Sequence, residues 1–150
     1  MKKITNSLIM FFMFLSFGTQ AETGLVNVAS TFGVQETADR FVAAAEKAGL
    51  KIFARIDHAA GAAKVGKSLR PTQLVIFGSP KVGTALMTSD QRAGIELPLK
   101  ALAWQDAEGR VWLSYNSPEH LFGRFSITDR EKVKQKVTGA LAKLTAAATK

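Results

Sequence analysis

The sequence predicts an α+β fold: a two-layer sandwich of a mostly antiparallel or mixed sheet with helices packed on one face. Three observations predict it. Strand-like stretches alternate with stretches of helical spacing through much of the chain. Leu97–Gln105 and Arg110–Tyr115, joined by Asp106-Ala107-Glu108-Gly109, read as a hairpin, which demands antiparallel pairing. The chain also ends on a helix with a single apolar stripe, and such a stripe needs a sheet to lie on.

Lys2 and Lys3 precede an almost wholly apolar run from Ser7 to Gly18, and Thr19-Gln20-Ala21 offers the small residues a signal peptidase reads. That run is about half the ~20 residues a bilayer span needs. Residues 1–21 are therefore expected to be a cleaved signal peptide, with one α+β domain over 22–150 and no stable membrane insertion afterwards. Gly24 to Thr31, with Leu25, Val26, Val28 and Ala29, suits a first strand. From Gly33, the residues Thr37, Ala38, Phe41, Ala45 and Ala48 form a helical stripe that Gly49 can stop.

Leu50 to Asp57 alternates as a half-buried strand, with Leu50, Ile52, Ala54 and Ile56 on one face and Lys51, Phe53, Arg55 and Asp57 on the other. Ala59 to Leu69 is Ala/Gly-rich and reads as a short helix and a loop. Leu74-Val75-Ile76-Phe77 is a continuous apolar run, as expected of a central strand covered on both faces. Ser79-Pro80 then supplies an N-cap and a proline at the first helical position, for a helix through Val82, Leu86 and Met87 that fades between Ser89 and Gly94. Gly109 gives the hairpin turn a residue free to take a positive φ. The last helix, about 128–148, is expected to open on a Thr128–Glu131 capping box and to bury Val133, Val137, Ala140, Leu141 and Leu144.

Composition narrows the function. The 150 residues include no cysteine, which excludes a disulfide scaffold, a thiolate metal site and thiol catalysis. An exported chain without cysteine points to the bacterial periplasm and to stability from the core alone. The formal charge is +8, of which Lys2 and Lys3 leave with the leader, so the remainder is +6. Nucleic acid is not the expected partner. Lys132, Lys134, Lys136 and Lys143 have no interleaved aromatics and read as one solvated helix face. His58 and His120 lack metal-ligand spacing, Gly-x-Ser-x-Gly is absent, and no motif calls for a cofactor.

Ile56-Asp57-His58-Ala59, Leu69-Arg70-Pro71, Phe77-Gly78-Ser79-Pro80, Gly83-Thr84, Leu86-Met87, Leu97-Pro98-Leu99 and Ser114-Tyr115-Asn116 follow one another in order. Together they resemble the family known as domain of unknown function 302, over about residues 24–118. The resemblance implies a compact α+β domain and no established reaction. Ser79 stands where the family commonly has Asn, and Ser117 where it has Asp.

Three groups of residues could carry chemistry. Arg55, Asp57 and His58 combine a cation, an anion and a group titrating near neutrality, the mix that general acid–base catalysis uses. The plain alternative is a surface ion pair beside a loop histidine. Gly78-Ser79-Pro80-Lys81 feeds a strand into a helix N-terminus, where spare amides and Lys81 suit a small anion; the simpler reading is a helix cap. Trp104, Trp112, Tyr115 and Asn116 lie on or after the hairpin and suit either packing or a flat ligand. The leading expectation is a small periplasmic binding or accessory module, a possible homodimer, for a small anionic or polar ligand. Its pocket would gather His58, Arg70, Gly78, Ser79, Lys81, Tyr115 and Asn116. The alternatives are an enzyme with His58 as general base, and a purely structural interaction domain.

Overall fold

The computed structural model describes residues 24–150, so the expected leader lies outside the described residues. Strands β1 (Leu25–Ser30), β2 (Lys51–Asp57), β3 (Thr72–Gly78), β4 (Leu99–Gln105) and β5 (Val111–Asn116) form one sheet in the order β1-β5-β4-β3-β2, with every neighbouring pair antiparallel. The helices are α1 (Val34–Lys47), α2 (His58–Lys64), α3 (Pro80–Met87), α4 (Pro118–Arg124) and α5 (Glu131–Thr149), with a 3-10 turn at Gln91–Glu96. The predicted α+β sandwich is the observed one.

α1 and α5 form the helical layer. Phe41, Ala38 and Ala45 of α1 and Val137, Leu141 and Leu144 of α5 close on Val75, Phe77, Ala101, Ala103 and Leu113 of the sheet. Phe41 and Phe77 meet edge to face at 4.9 Å between ring centroids. A smaller cluster of Leu86, Ala93, Leu121, Phe122 and Ile127 ties α3, the 3-10 turn and α4 together.

Two expectations about the strands are corrected. β3 is an interior strand, but helices α1 and α5 cover one face only. Gln73, Val75 and Phe77 are buried beneath them, whereas Leu74 and Ile76 are half-buried on the opposite, open face. In β2 the alternation breaks at a bulge. Ile52 pairs with Phe77 and Ala54 with Ile76, leaving Phe53 between them. The extra residue reverses the phase, so Ile52 faces the helices while Ile56, 39% exposed, does not.

The caps differ as well. Ser79 precedes α3 but its side chain makes no capping hydrogen bond. The capping serine is Ser117, whose hydroxyl accepts from the His120 amide at 3.1 Å, ahead of Pro118. α5 starts at Glu131 without the Thr128 box; Glu131 pairs with Lys134, and the preceding Arg130 donates to the Ala85 carbonyl of α3. Ser117→Ala is therefore expected to cost about 1 kcal/mol. Ser79→Ala should cost less than about 0.5 kcal/mol. Urea denaturation of both variants checks the pair, and equal losses would contradict it.

Candidate functional site

Arg55 and Asp57 are occupied by structural partners. The Arg55 guanidinium donates to the Asp39 carboxylate of α1 and to Gln73 Oε1 at 2.6 and 2.9 Å, and Gln73 donates on to Gln35 at 2.6 Å. This network stitches the β2 edge of the sheet to α1. It also holds the Asp39 carboxyl below its usual range, first through the Arg55 hydrogen bond, against a smaller opposing effect of burial. Asp57 accepts from the Ala60 amide at 2.9 Å and caps α2. His58 is the first residue of α2 and is exposed, and no carboxylate among the described residues hydrogen-bonds its ring.

The pocket expected to gather seven residues is divided by topology. Asp57 pairs with Gln73 at the start of β3, and Arg70 donates to the Gln105 carbonyl at the end of β4, so His58 and Arg70 share one end of the sheet. Gly78 ends β3, Phe77 pairs with Leu99, and Ala101 with Tyr115, which places Gly78, Ser79 and Tyr115 at the other end. Seven residues at about 3.3 Å each keep the two ends roughly 20 Å apart. An all-antiparallel sheet sends successive strand ends to opposite sides, which the residue types alone do not reveal.

Tyr115 faces the helices, half-buried, with Thr145 of α5 near its hydroxyl. Burial pushes its phenol up, with the Thr145 side chain opposing. Asn116 turns to the open face and is exposed. Lys81 is exposed on the first turn of α3.

The residues that do converge lie around the β3–α3 connection. A cleft of about 300 Å³ is walled by Phe53, Val82, Met87, Leu97 and Pro98, with Gly78 and Gly83 giving it room and Ser79 and Thr84 at its polar edge. The lower end of the size range of small-molecule sites is about 300 Å³. The bulge that frees Phe53 from pairing supplies one wall. The Ser79 hydroxyl makes no hydrogen bond among the described residues. Pro80 has no N–H, and the Val82 and Gly83 amides return to the Ser79 carbonyl, both at 3.0 Å. The Lys81 amide is thus the first-turn donor left over. The arrangement accommodates an apolar body with one polar or anionic head. Sequence reasoning found Gly78 and Ser79 but missed the apolar walls, because Phe53, Met87 and Leu97 come from three separate segments.

The hairpin carries a second arrangement. Trp104 and Trp112 are directly opposed across β4 and β5, on the open face. The Trp104 indole donates to Ser114 Oγ at 2.7 Å and the Trp112 indole to Asp106 Oδ2 at 2.8 Å. Asp106, 8% exposed, also takes the Arg110 amide and guanidinium, both at 2.8 Å. Burial works to raise its pKa, but the bonds from Trp112 and Arg110 outweigh it and bring the value down to about 2. A depressed carboxylate adds stability above its unfolded value of about 4, and that contribution disappears as pH falls towards about 2. Asp106→Asn is expected to lower the melting temperature at pH 7 and to flatten its fall between about pH 4 and pH 2. Melting curves across that window check it; an unchanged slope would count against the role.

Residues 26–149 match the model of the family "Domain of unknown function DUF302". The chain belongs to the DUF302 family. The match continues through α4 and α5, beyond Pro118 where the short motifs stop. The DUF302 fold is the one seen in the crystal structure of an uncharacterised conserved DUF302 protein from Bacillus stearothermophilus. That structure superposes with a TM-score of 0.75 at 16% identity, over 84% of this chain and 98% of the other. The chain is also 44% identical over 120 residues to the fluoride-specific ion channels FluC 1 of Brucella suis and FluC 1 of Brucella abortus. The alignment covers 79% of this DUF302 chain but 47% and 44% of those relatives, so the chain spans a little under half their length.

Proposed function

We propose that this DUF302 protein is a small exported binding or accessory module without turnover of its own. Its ligand is a small molecule with an apolar body and an anionic or polar head, seated in the cleft beside Ser79. The observation that carries this reading is the cleft itself, with its apolar walls, an unengaged hydroxyl and a free helix amide at one edge. The accessory role is supported by the likeness to part of the Brucella fluoride channels. No helix among the described residues is long and apolar enough to cross a membrane, which favours reading the matched stretch as an appended portion of those channels. Export to the periplasm rests on the leader-like residues 1–21, with the mature chain starting near Glu22.

Calorimetry with octanoate, acetate, phosphate and fluoride tests the ligand class. Octanoate is expected to bind best. A Cβ at Gly83 would meet only Leu97 Cδ1 at 3.8 Å and Met87 Cε at 4.0 Å, so Gly83→Phe can enter the cleft and should abolish binding. Ser79→Asp should weaken binding by placing like charge at the head group, while folding survives. Octanoate binding to Gly83→Phe as tightly as to wild type, or to neither, would overturn the reading. Native mass spectrometry of protein purified gently from its own host reads any retained molecule and the subunit number together.

A further inference from the structure

The hairpin platform lies outside that cleft and has no part in the proposed function. Ser114 faces away from the helical layer, yet it is 2% exposed. The Trp104 indole, hydrogen-bonded to Ser114 Oγ, explains this by lying along the sheet over it rather than standing off the surface. Trp112 is tied in the opposite sense, towards the turn, by Asp106. Each indole is therefore fixed by its own hydrogen bond in an open depression of about 560 Å³, which Leu25, Asn27, Asp106, Glu108 and Arg110 also line. No helix among the described residues covers these rings.

We propose that this depression binds a neutral oligosaccharide, with pyranose rings laid against Trp104 and Trp112. A pyranose has an apolar C–H face and an edge of hydroxyls that both donate and accept. It needs an apolar plate whose rim offers both kinds of partner. Asn27 uses its carbonyl oxygen on the Ser114 hydroxyl, and its amide NH₂, unbonded among the described residues, is a donor. Glu108, exposed, is an acceptor. The charge pattern selects against an anionic nucleotide. Asp106 and Glu108 are both carboxylates, and Arg110, the one cation among the described residues that line the depression, pairs with both and lies over the Trp112 ring at 5.4 Å. Phosphate would meet two carboxylates against one cation that is already paired.

The chain's two tryptophans are both in this site, so tryptophan emission, excited selectively over tyrosine, reports on it alone. Titration of the full chain with cellotriose and with triacetylchitotriose should give a saturable emission change for at least one of them. Adenosine monophosphate should give none. Trp112→Phe keeps one indole as reporter and a ring to stack on, and should bind within a few-fold of wild type. Trp104→Ala should weaken binding about tenfold or more, the scale on which losing an aromatic anchor acts. Asn27→Ala, at an exposed position, should weaken it several-fold. Circular dichroism confirms that each variant is folded. The proposal is overturned by no saturable response to either saccharide, by binding unchanged in both Trp104→Ala and Asn27→Ala, or by adenosine monophosphate binding as well as the saccharides. It is equally overturned if emission shifts with protein concentration alone and Trp104→Ala abolishes that shift, since the face would then be covered by a second copy of the chain.

Discussion

Phe41→Ala is expected to destabilise the protein by about 3–5 kcal/mol, enough to unfold a marginal domain of this size at ordinary temperature. Phe41 is fully buried, and its ring meets Phe77 edge to face at 4.9 Å at the centre of the contact between α1 and the sheet. Its loss removes apolar area and leaves a void whose neighbours Ala38 and Ala45 are too small to fill it. The aromatic pair adds about 0.5–1.5 kcal/mol beyond burial, so Phe41→Ala and Phe77→Ala together should cost less than the sum of the two alone. Urea midpoints for the two single variants and the double variant measure this coupling. Strict additivity would mean that the two rings act independently.

How far the fold is legible depends on whether local pattern or tertiary pairing decides an element. The helix stripe from Thr37 to Ala45 was readable because α1 presents one face to one sheet, whereas Ala48, expected in the same stripe, is the exposed C-cap. The hairpin was readable because Gly109 adopts φ +82° where the turn requires it. The bulge at Phe53 was not, since an inserted residue leaves the local sequence looking like an unbroken alternation. α4 was missed although its signal was present. Ser117-Pro118 carries the same cap-and-proline chemistry as Ser79-Pro80, and there the serine does cap.

The candidate site shows the same division. Trp104 and Trp112 read as aromatics of the hairpin suited to packing or a flat ligand, and the register pairs them directly on one face. Gly78 and Ser79 do border a cleft. Arg55 and Asp57 looked like a catalytic pair because they are two residues apart on a strand, but the partners that occupy them are distant in sequence or on the next element. Asp39 and Gln73 take Arg55, and the first turn of α2 takes Asp57. Residue type announces chemical capacity; only the packing of other elements decides whether that capacity is free.

The rotation of α5 offers the second large effect. The expected stripe included Ala140, but Ala140 is exposed, and the buried set is Val137, Leu141, Leu144, Thr145, Ala148 and Thr149. Two threonines can sit in that interface because their hydroxyls return to the carbonyls one turn earlier, Thr145 to Leu141 at 2.7 Å and Thr149 to Thr145 at 2.8 Å. Leu141, 2% exposed, is at the centre of the face. Leu141→Ala is expected to cost about 2–4 kcal/mol by opening a cavity between α5 and the sheet. Lys136→Ala, on an exposed position of the same helix, should change stability by less than about 0.5 kcal/mol. Thermal denaturation of both variants in the same buffer distinguishes a helix docked by this face from one rotated about its axis. In the rotated case the two losses would converge, and substitution of Ala140 by a large polar residue, here expected to be tolerated, would become the damaging change.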